Sequence, residues 1–332
     1  MKNVTLLDNL AQELESMLSE HDQKWVKRKR KLNSKLVFCF LLQMVGCAAN
    51  QGRESALFFF KYITGESIIG VDVAASSLFA ARQKIGWTIF RHLLHKVVGS
   101  FEQYFDKKYL WQGHRIFAID GSKINVPAPI KKIKYRKYFP KAHYPTALVS
   151  VLFRLDALIP YHFIFSRHFN ELLNVKHLLR KLKPEDIVVY DRLYLCLKTL
   201  KEHCDLKIHG VFRLKSSHTL KELVSFAESG EKEQDIVLTR KEIDPVRLRL
   251  IFYRIGEKKY YLATTLLDRK KYPTKAIKAL YHGRWNIEEQ FKAMKRSLNL
   301  KIFHSHTTTG LKQEIGIFFY LRLGSTCKFS FK

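Results

Sequence analysis

No stretch of this sequence is apolar for long enough to cross a bilayer. The longest such run, LVFCFLLQMVGCAA from Leu36 to Ala49, has 14 residues, against the roughly 20 that a spanning helix needs. It reads as a buried core helix, and no membrane partner is expected. The N-terminus, MKNVTLLDNLAQELESM, is polar and amphipathic and lacks the apolar segment and cleavage site of a secretory signal, so the expected location is cytoplasmic. Cysteine is scarce: Cys39, Cys47, Cys196, Cys204 and Cys327 form an odd set without a C-x-x-C pair. That argues against a disulfide framework and a zinc ribbon and leaves five thiols expected to be buried. The cluster His203, Cys204 and His209 lacks a fourth ligand at zinc-finger spacing. Internal repeats, low-complexity linkers and a Gly-rich GxxxxGK phosphate loop are also missing, so a nucleotide cofactor is not expected.

Acidic residues are few as well. Thirty Asp and Glu stand against 59 Lys and Arg, a formal net charge of +29 over 332 residues. That excess makes a strong attractive field for polyanions, with nucleic acid the leading partner and a merely basic surface the alternative. With 46% hydrophobic residues the chain can bury a large core, and its length favours about two domains.

Up to about residue 110 the pattern is helical, with Leu6, Leu7, Leu10, Leu14, Met17 and Leu18 at three- and four-residue steps. The basic run KWVKRKRK, Lys24 to Lys31, is either a solvated face or a phosphate-contacting arm. Ser76 to Val98 reads as one amphipathic helix whose Arg82, Lys84 and Arg91 could face a DNA groove. The character changes near His114. Strands are expected at Arg115–Asp120, Ala147–Arg154, Ile159–Ser166, Asp186–Asp191 and Ile208–Lys215, with helices at Glu171–Leu182 and Tyr194–His203. This order suggests a mixed sheet with helices on both faces. Residues 216–267 read as a small β insertion, and a long helix is expected from about Thr274 through Leu300. The expected organisation is a helical, DNA-binding region at 1–110 and an α/β catalytic domain at 111–332.

Metal-assisted phosphodiester chemistry needs carboxylates at strand ends facing one cleft, holding ions about 4 Å apart. Asp120 closes the apolar strand RIFAI, and Asp191 closes IVVY. Either alone could be an ordinary turn or cap aspartate. A third acid comes from YHGRWNIEEQFKAMKRSLNL. At about 100° per residue, Tyr281, Arg284, Glu288 and Lys295 share an arc of about 60° beside the apolar stripe Ile287, Phe291, Met294 and Leu298. Glu289 points away from both, so the spacing selects Glu288, unless the helix is simply amphipathic with a solvated charged edge.

Tyr281-x2-Arg284-x3-Glu288-x6-Lys295, with AIDGS at Asp120 and YDRLY at Asp191, resembles the signature of the bacterial DDE transposases of the insertion-sequence-four family. The resemblance covers roughly Arg115 to Ile315. It implies an RNase H-like core with the β insertion between its fifth strand and last helix. It also implies that Asp120, Asp191 and Glu288 coordinate two Mg2+ ions, for which Mn2+ may substitute. Tyr281, Arg284 and Lys295 would then contact phosphates of double-stranded DNA near transposon ends, and Arg192 and Lys123 would lie beside the cleft. In KKIKYRKYFPK, Lys131 to Lys141, basic residues including Lys134 and Arg136 alternate with aromatics, as in a DNA-contacting loop or an exposed basic loop. The implied activity is metal-dependent cleavage at terminal inverted repeats and strand transfer into target DNA by a homodimer. The insertion carries no tryptophan on which some relatives stack a flipped base, which leaves a hairpin intermediate open. The chain ends 37 residues after Lys295, and its tail GSTCKFSFK departs from the expected helical completion. A catalytically inactive, transposase-derived DNA-binding protein is therefore the alternative, and another RNase H-like nuclease a more distant one.

Overall fold

The computed structural model describes residues 14–23, 32–46, 75–133, 135–215, 220–241, 243–289, 292 and 303–329. The basic run at 24–31, Lys134 and Lys295 lie outside them. Eight named helices are α1 (Ser34–Gly46), α2 (Ala75–Lys84), α3 (Thr88–Phe105), α4 (Leu172–Leu179), α5 (Leu197–Leu206), α6 (Lys221–Ser229), α7 (Thr274–Gly283) and α8 (Thr308–Phe329). The strands are β1 (Ile116–Asn125), β2 (Thr146–Arg154), β3 (Ile159–Ser166), β4 (Ile187–Tyr190), β5 (His209–Arg213), β6 (Glu233–Arg240), β7 (Ile243–Ile255) and β8 (Lys258–Thr264). The chain packs as two units: Met1–Tyr104, Ile124–Ala147 and Lys292–Lys332 form one, Phe105–Lys123 and Leu148–Phe291 the other.

The strands make one mixed sheet in the order β3-β2-β1-β4-β5-β8-β7-β6. β2 and β3 are antiparallel, while β4 runs parallel to both β1 and β5, so the first five strands have the RNase H-like arrangement. All nine residues of β2 and all four of β4 are buried. Their uninterrupted apolar character is what strands covered on both faces require. Side chains alternate along each strand. Phe117, Ile119, Val188, Tyr190 and Phe212 therefore share one face, and they pack with Val175, Leu178 and Leu179 of α4 and Leu200 of α5. The other face carries Ala118, Val189 and Val211. There Tyr253 of β7 meets α7, its hydroxyl 3.0 Å from His282 Nε2.

Residues 216–267 include three antiparallel strands. β8 pairs with β5, so the strands extend the same sheet. The segment also contains α6, which the apolar alternation had hidden; its Leu223 and Phe226 join the core with Leu238 and Leu248.

In the helical unit the expected single helix at Ser76–Val98 is two helices. Gly86 lies between α2 and α3, where Ile85 N–H reaches only Arg82 O and Ile89 N–H only Gly86 O. Arg82 is not available to a DNA groove. It is 1% exposed, with Nη2 2.6 Å from Glu314 Oε1 and Nε donating to Gln313 Oε1 at 3.0 Å. Gln313 Nε2 donates back to the carbonyls of Arg82 and Ile85. Gly310 has no room for a Cβ, which would strike Ser305, and a Cβ on Gly316 would press Phe90. α8 is thereby fixed against α2 and α3, and its backbone stays helical through Phe329, including most of the tail read as irregular.

The Arg82–Glu314 pair carries a testable energetic consequence. Glu314→Ala leaves a buried guanidinium without its anion and should cost about 3–5 kcal/mol, whereas Arg82→Met with Glu314→Leu should cost far less. Urea unfolding checks this, and equal losses in the single and double variants would refute it.

Candidate active site

Asp120 and Asp191 meet through strand register, although Asp120 does not close its strand: β1 runs on to Asn125, while Asp191 directly follows β4. β1 and β4 pair as Ile116 with Ile187, Phe117 with Val188 and Ala118 with Val189. Continued by two residues, the register sets Asp120 beside Asp191 on neighbouring strands about 4.8 Å apart. Alternation puts both on the face that carries Ala118 and Val189, the face on which α7 packs.

Asp120 is partly buried. Burial raises its carboxyl from the ordinary range to about 7, and the charges of Glu171 and Glu288 push it the same way, against Gly121 N–H and Arg284. Asp191 Oδ1 is buried with no hydrogen-bond partner among the described residues. Glu171 sits on the opposite side of β1. Its carboxylate accepts the Tyr194 hydroxyl at 2.6 Å, and its side chain occupies the space where a Cβ on residue 121 would go. A side chain at residue 121 would displace that carboxylate.

α7 ends sooner than periodicity indicated. Helix covers Thr274–Gly283, Arg284 forms a turn, and residues 285–289 are helical again. Arg284 N–H bonds Tyr281 O and Ile287 N–H bonds Arg284 O, the tighter three-residue spacing that closes a helix end; Gly283 favours the break. The predicted face nonetheless keeps its key pair. Arg284 Nη2 donates to Glu288 Oε1 at 2.7 Å, while Glu289 is exposed. Tyr281 is 3% and Arg284 7% exposed. The Tyr281 hydroxyl and Arg284 Nε are buried without partners among the described residues. Burial raises the Tyr281 hydroxyl above its ordinary range, against the pull of Arg213 and Arg284.

Asp120, Asp191, Tyr281, Arg284 and Glu288 are thus gathered at one edge of the sheet unit. Lys123, within β1, and Arg192, in the turn after β4, are exposed in the same unit. Arg136 belongs to the helical unit, where its carbonyl accepts Thr146 N–H. Glu171, Tyr194 and Arg213 were missed as site neighbours. Among the described residues, no three His, Cys, Asp or Glu side chains converge closely enough to make a metal-binding group. His203, part of the weak sequence cluster, is a core residue: Tyr190 hydroxyl and Ile208 carbonyl engage its ring, and burial holds it at about 3. Its neighbour Cys204 is exposed rather than buried.

The transposase DDE domain model matches residues 111–321, more than half of the chain and all of these residues. The chain belongs to the DDE transposase family. No curated protein matches it. Among solved structures, a piggyBac transposase synaptic complex with hairpin DNA is similar at 11% identity and a TM-score of 0.47, over 96% of this chain and 73% of that one. No described helix of this transposase is long and apolar enough to cross a membrane.

The raised carboxyl of Asp120 predicts a pH-dependent stability. A folded value above the unfolded one, about 3.9, gives stability that is full below pH 4 and lost as pH rises through about 7. Without divalent metal, Asp120→Asn should therefore stabilise the transposase at pH 8.5 by on the order of 2–4 kcal/mol relative to its effect near pH 4. Denaturant unfolding at both pH values is the check, and an unchanged difference would count against a strained carboxyl.

Proposed function

We propose that this chain is an active DNA transposase that cuts at transposon ends and transfers the freed strand into target DNA, with Asp120, Asp191 and Glu288 as its catalytic acids. One observation carries the reading. An acceptor without a donor, Asp191 Oδ1, and donors without acceptors, the Tyr281 hydroxyl and Arg284 Nε, lie in one electrostatic neighbourhood. Leaving such groups unsatisfied costs about 1–3 kcal/mol each. A divalent cation together with a DNA phosphate satisfies both kinds at once.

The donor set fits a hard cation: carboxylate oxygens, one of them orphaned, beside a carboxyl that burial and like charge hold at about 7. Asp120 and Asp191 would hold it, with Glu288, now paired to Arg284, as the third ligand. Mg2+ is the proposed ion, with Mn2+ able to substitute; bound there, it supplies Lewis-acid activation of the attacking oxygen and stabilisation of the leaving one. Arg284 positions Glu288 and offers its remaining N–H groups to phosphate. Tyr281 adds a hydroxyl donor, and exposed Arg192 and Lys123 extend the phosphate track. Lys295, at its signature spacing, is proposed as a further phosphate contact, and the whole Tyr-Arg-Glu-Lys spacing favours the insertion-sequence-four branch. Cutting two ends and joining them to one target favours a homodimer assembled on DNA in the cytoplasm.

Labelled DNA bearing the element's terminal repeats, with and without Mg2+ or Mn2+, tests this. Metal-dependent cleavage and strand-transfer products are expected from the wild type, and a loss of at least about 100-fold from Asp191→Asn and Glu288→Gln, with end binding retained. End binding without cleavage by the wild type would replace the reading with a DNA-binding relic.

A further inference from the structure

The helical unit displays an unusual surface of its own. Of the described aromatics left widely open to solvent, three lie within seven residues: Tyr138 (40% exposed), Phe139 (62%) and Tyr144 (52%). The loop that carries them is anchored at its base. Tyr135 is buried, Arg136 pairs with Thr146 across the loop neck, and Val126 N–H bonds Pro145 O. Ala142 N–H bonds Phe139 O, closing a turn at the tip. Tyr138 and Phe139 stand edge to face, with ring centroids 4.4 Å apart. Exposed Arg136 and Lys137 precede the first two rings, and exposed Lys141 and His143 lie between Phe139 and Tyr144.

Beside the loop lies an open cleft of about 410 Å³, within the size range of small-ligand sites. Tyr144, Phe303, Pro127 and Pro129 give it flat apolar walls, and Asn125 and His306 place hydrogen-bonding groups among them. Rings held open to water by an anchored loop lose apolar burial that a core would have given them. The cations Arg136, Lys137 and Lys141 beside them select a polyanionic occupant over an apolar protein surface.

We propose that this loop and cleft form a site for unpaired DNA: Tyr138 and Phe139 stack on successive bases, and Tyr144 closes the cleft on a third. The flanking cations track the phosphates, and Asn125 and His306 contact the edge of the inserted base. A duplex hides its base faces in its own stack, so the surface distinguishes strands that are open from strands that are paired. The inference rests on the chain acting on DNA, and it deepens that reading by naming the strand state that the helical unit holds.

The test uses the full chain in EDTA at about 0.15 M salt, so it is independent of cleavage. Anisotropy compares a labelled oligothymidine of about 20 nucleotides with a duplex of the same length. Tyr138→Ala, Phe139→Ala and Tyr144→Ala should each weaken single-strand binding about tenfold, or 1.4 kcal/mol, with duplex binding changed less than about twofold. Phe139→Trp should restore or tighten it. Thermal unfolding confirms that these exposed positions leave the fold intact. Equal losses on both DNAs, or no loss on the single strand, would overturn the proposal and leave the loop a duplex-backbone contact or a bystander. Failure of the cleavage assay above would leave this result standing, and the reverse holds too.

Discussion

The parallel pairing of β1 with β4 is the constraint on which the candidate site depends. Three consecutive register pairs, from Ile116–Ile187 to Ala118–Val189, leave two carboxylates level with one another, Asp120 within β1 and Asp191 just past β4. A slip of one residue would turn one of them to the opposite face. The register is secured by burial on both faces of β4, since a shifted strand would exchange fully enclosed apolar partners. It is also pinned at the strand starts, where Arg115 Nε donates to Asp186 Oδ1 at 2.8 Å within the core. An ion pair at the start of two strands thus helps to set the spacing of two acids further along them.

That placement has an electrostatic cost which the surroundings only partly offset. Glu171 adds a third negative charge near Asp120 and enters the space that Gly121 leaves open. Arg284 is the cation that offsets charge at Asp120, and it is already bonded to Glu288. A fold selected for stability alone would neutralise such a cluster or remove it. Its persistence fits the pattern in which strain and perturbed ionisation gather where chemistry is done.

Much of this was legible in the sequence because it depends on local rules. Apolar runs ending in aspartate marked β1 and β4, and helical spacing chose Glu288 over Glu289 through the same four-residue step that now joins it to Arg284. What was hidden depends on tertiary contact. Glu171 lies 51 residues after Asp120, and nothing local signals that it fills the gap above a glycine. Arg82 sits on a face that looks like a basic helix surface until Glu314, far along the chain, is packed against it. The break at Arg284 escaped because apolar periodicity continues through it, while Gly283 and two short-range hydrogen bonds decide the backbone. α6 was lost among strands because its apolar residues are few, and Leu223 and Phe226 gain their meaning only from Leu238 and Leu248 across the core.

The basic surplus and the acidic site are complementary features. A net charge of +29 draws in a polyanion, yet a phosphate approaching Asp120, Asp191 and Glu288 alone would be repelled. Arg284 bridges the two regimes because its guanidinium has more donors than Glu288 uses: Nη2 is bonded to the acid, while Nε remains buried without a partner among the described residues. Lysine, with a point charge and no fixed fork, could hold the glutamate or face the phosphate but could not present both planar edges together. The same requirement explains why Tyr281 is enclosed rather than displayed. Its hydroxyl is buried without a partner among the described residues, and the guanidinium centre of Arg284 lies 6.0 Å from the ring centroid. Negative charge can therefore be concentrated beside β1 and β4 only because an enclosed donor set stands next to it, and the helix break at Arg284 is the local geometry that joins the two.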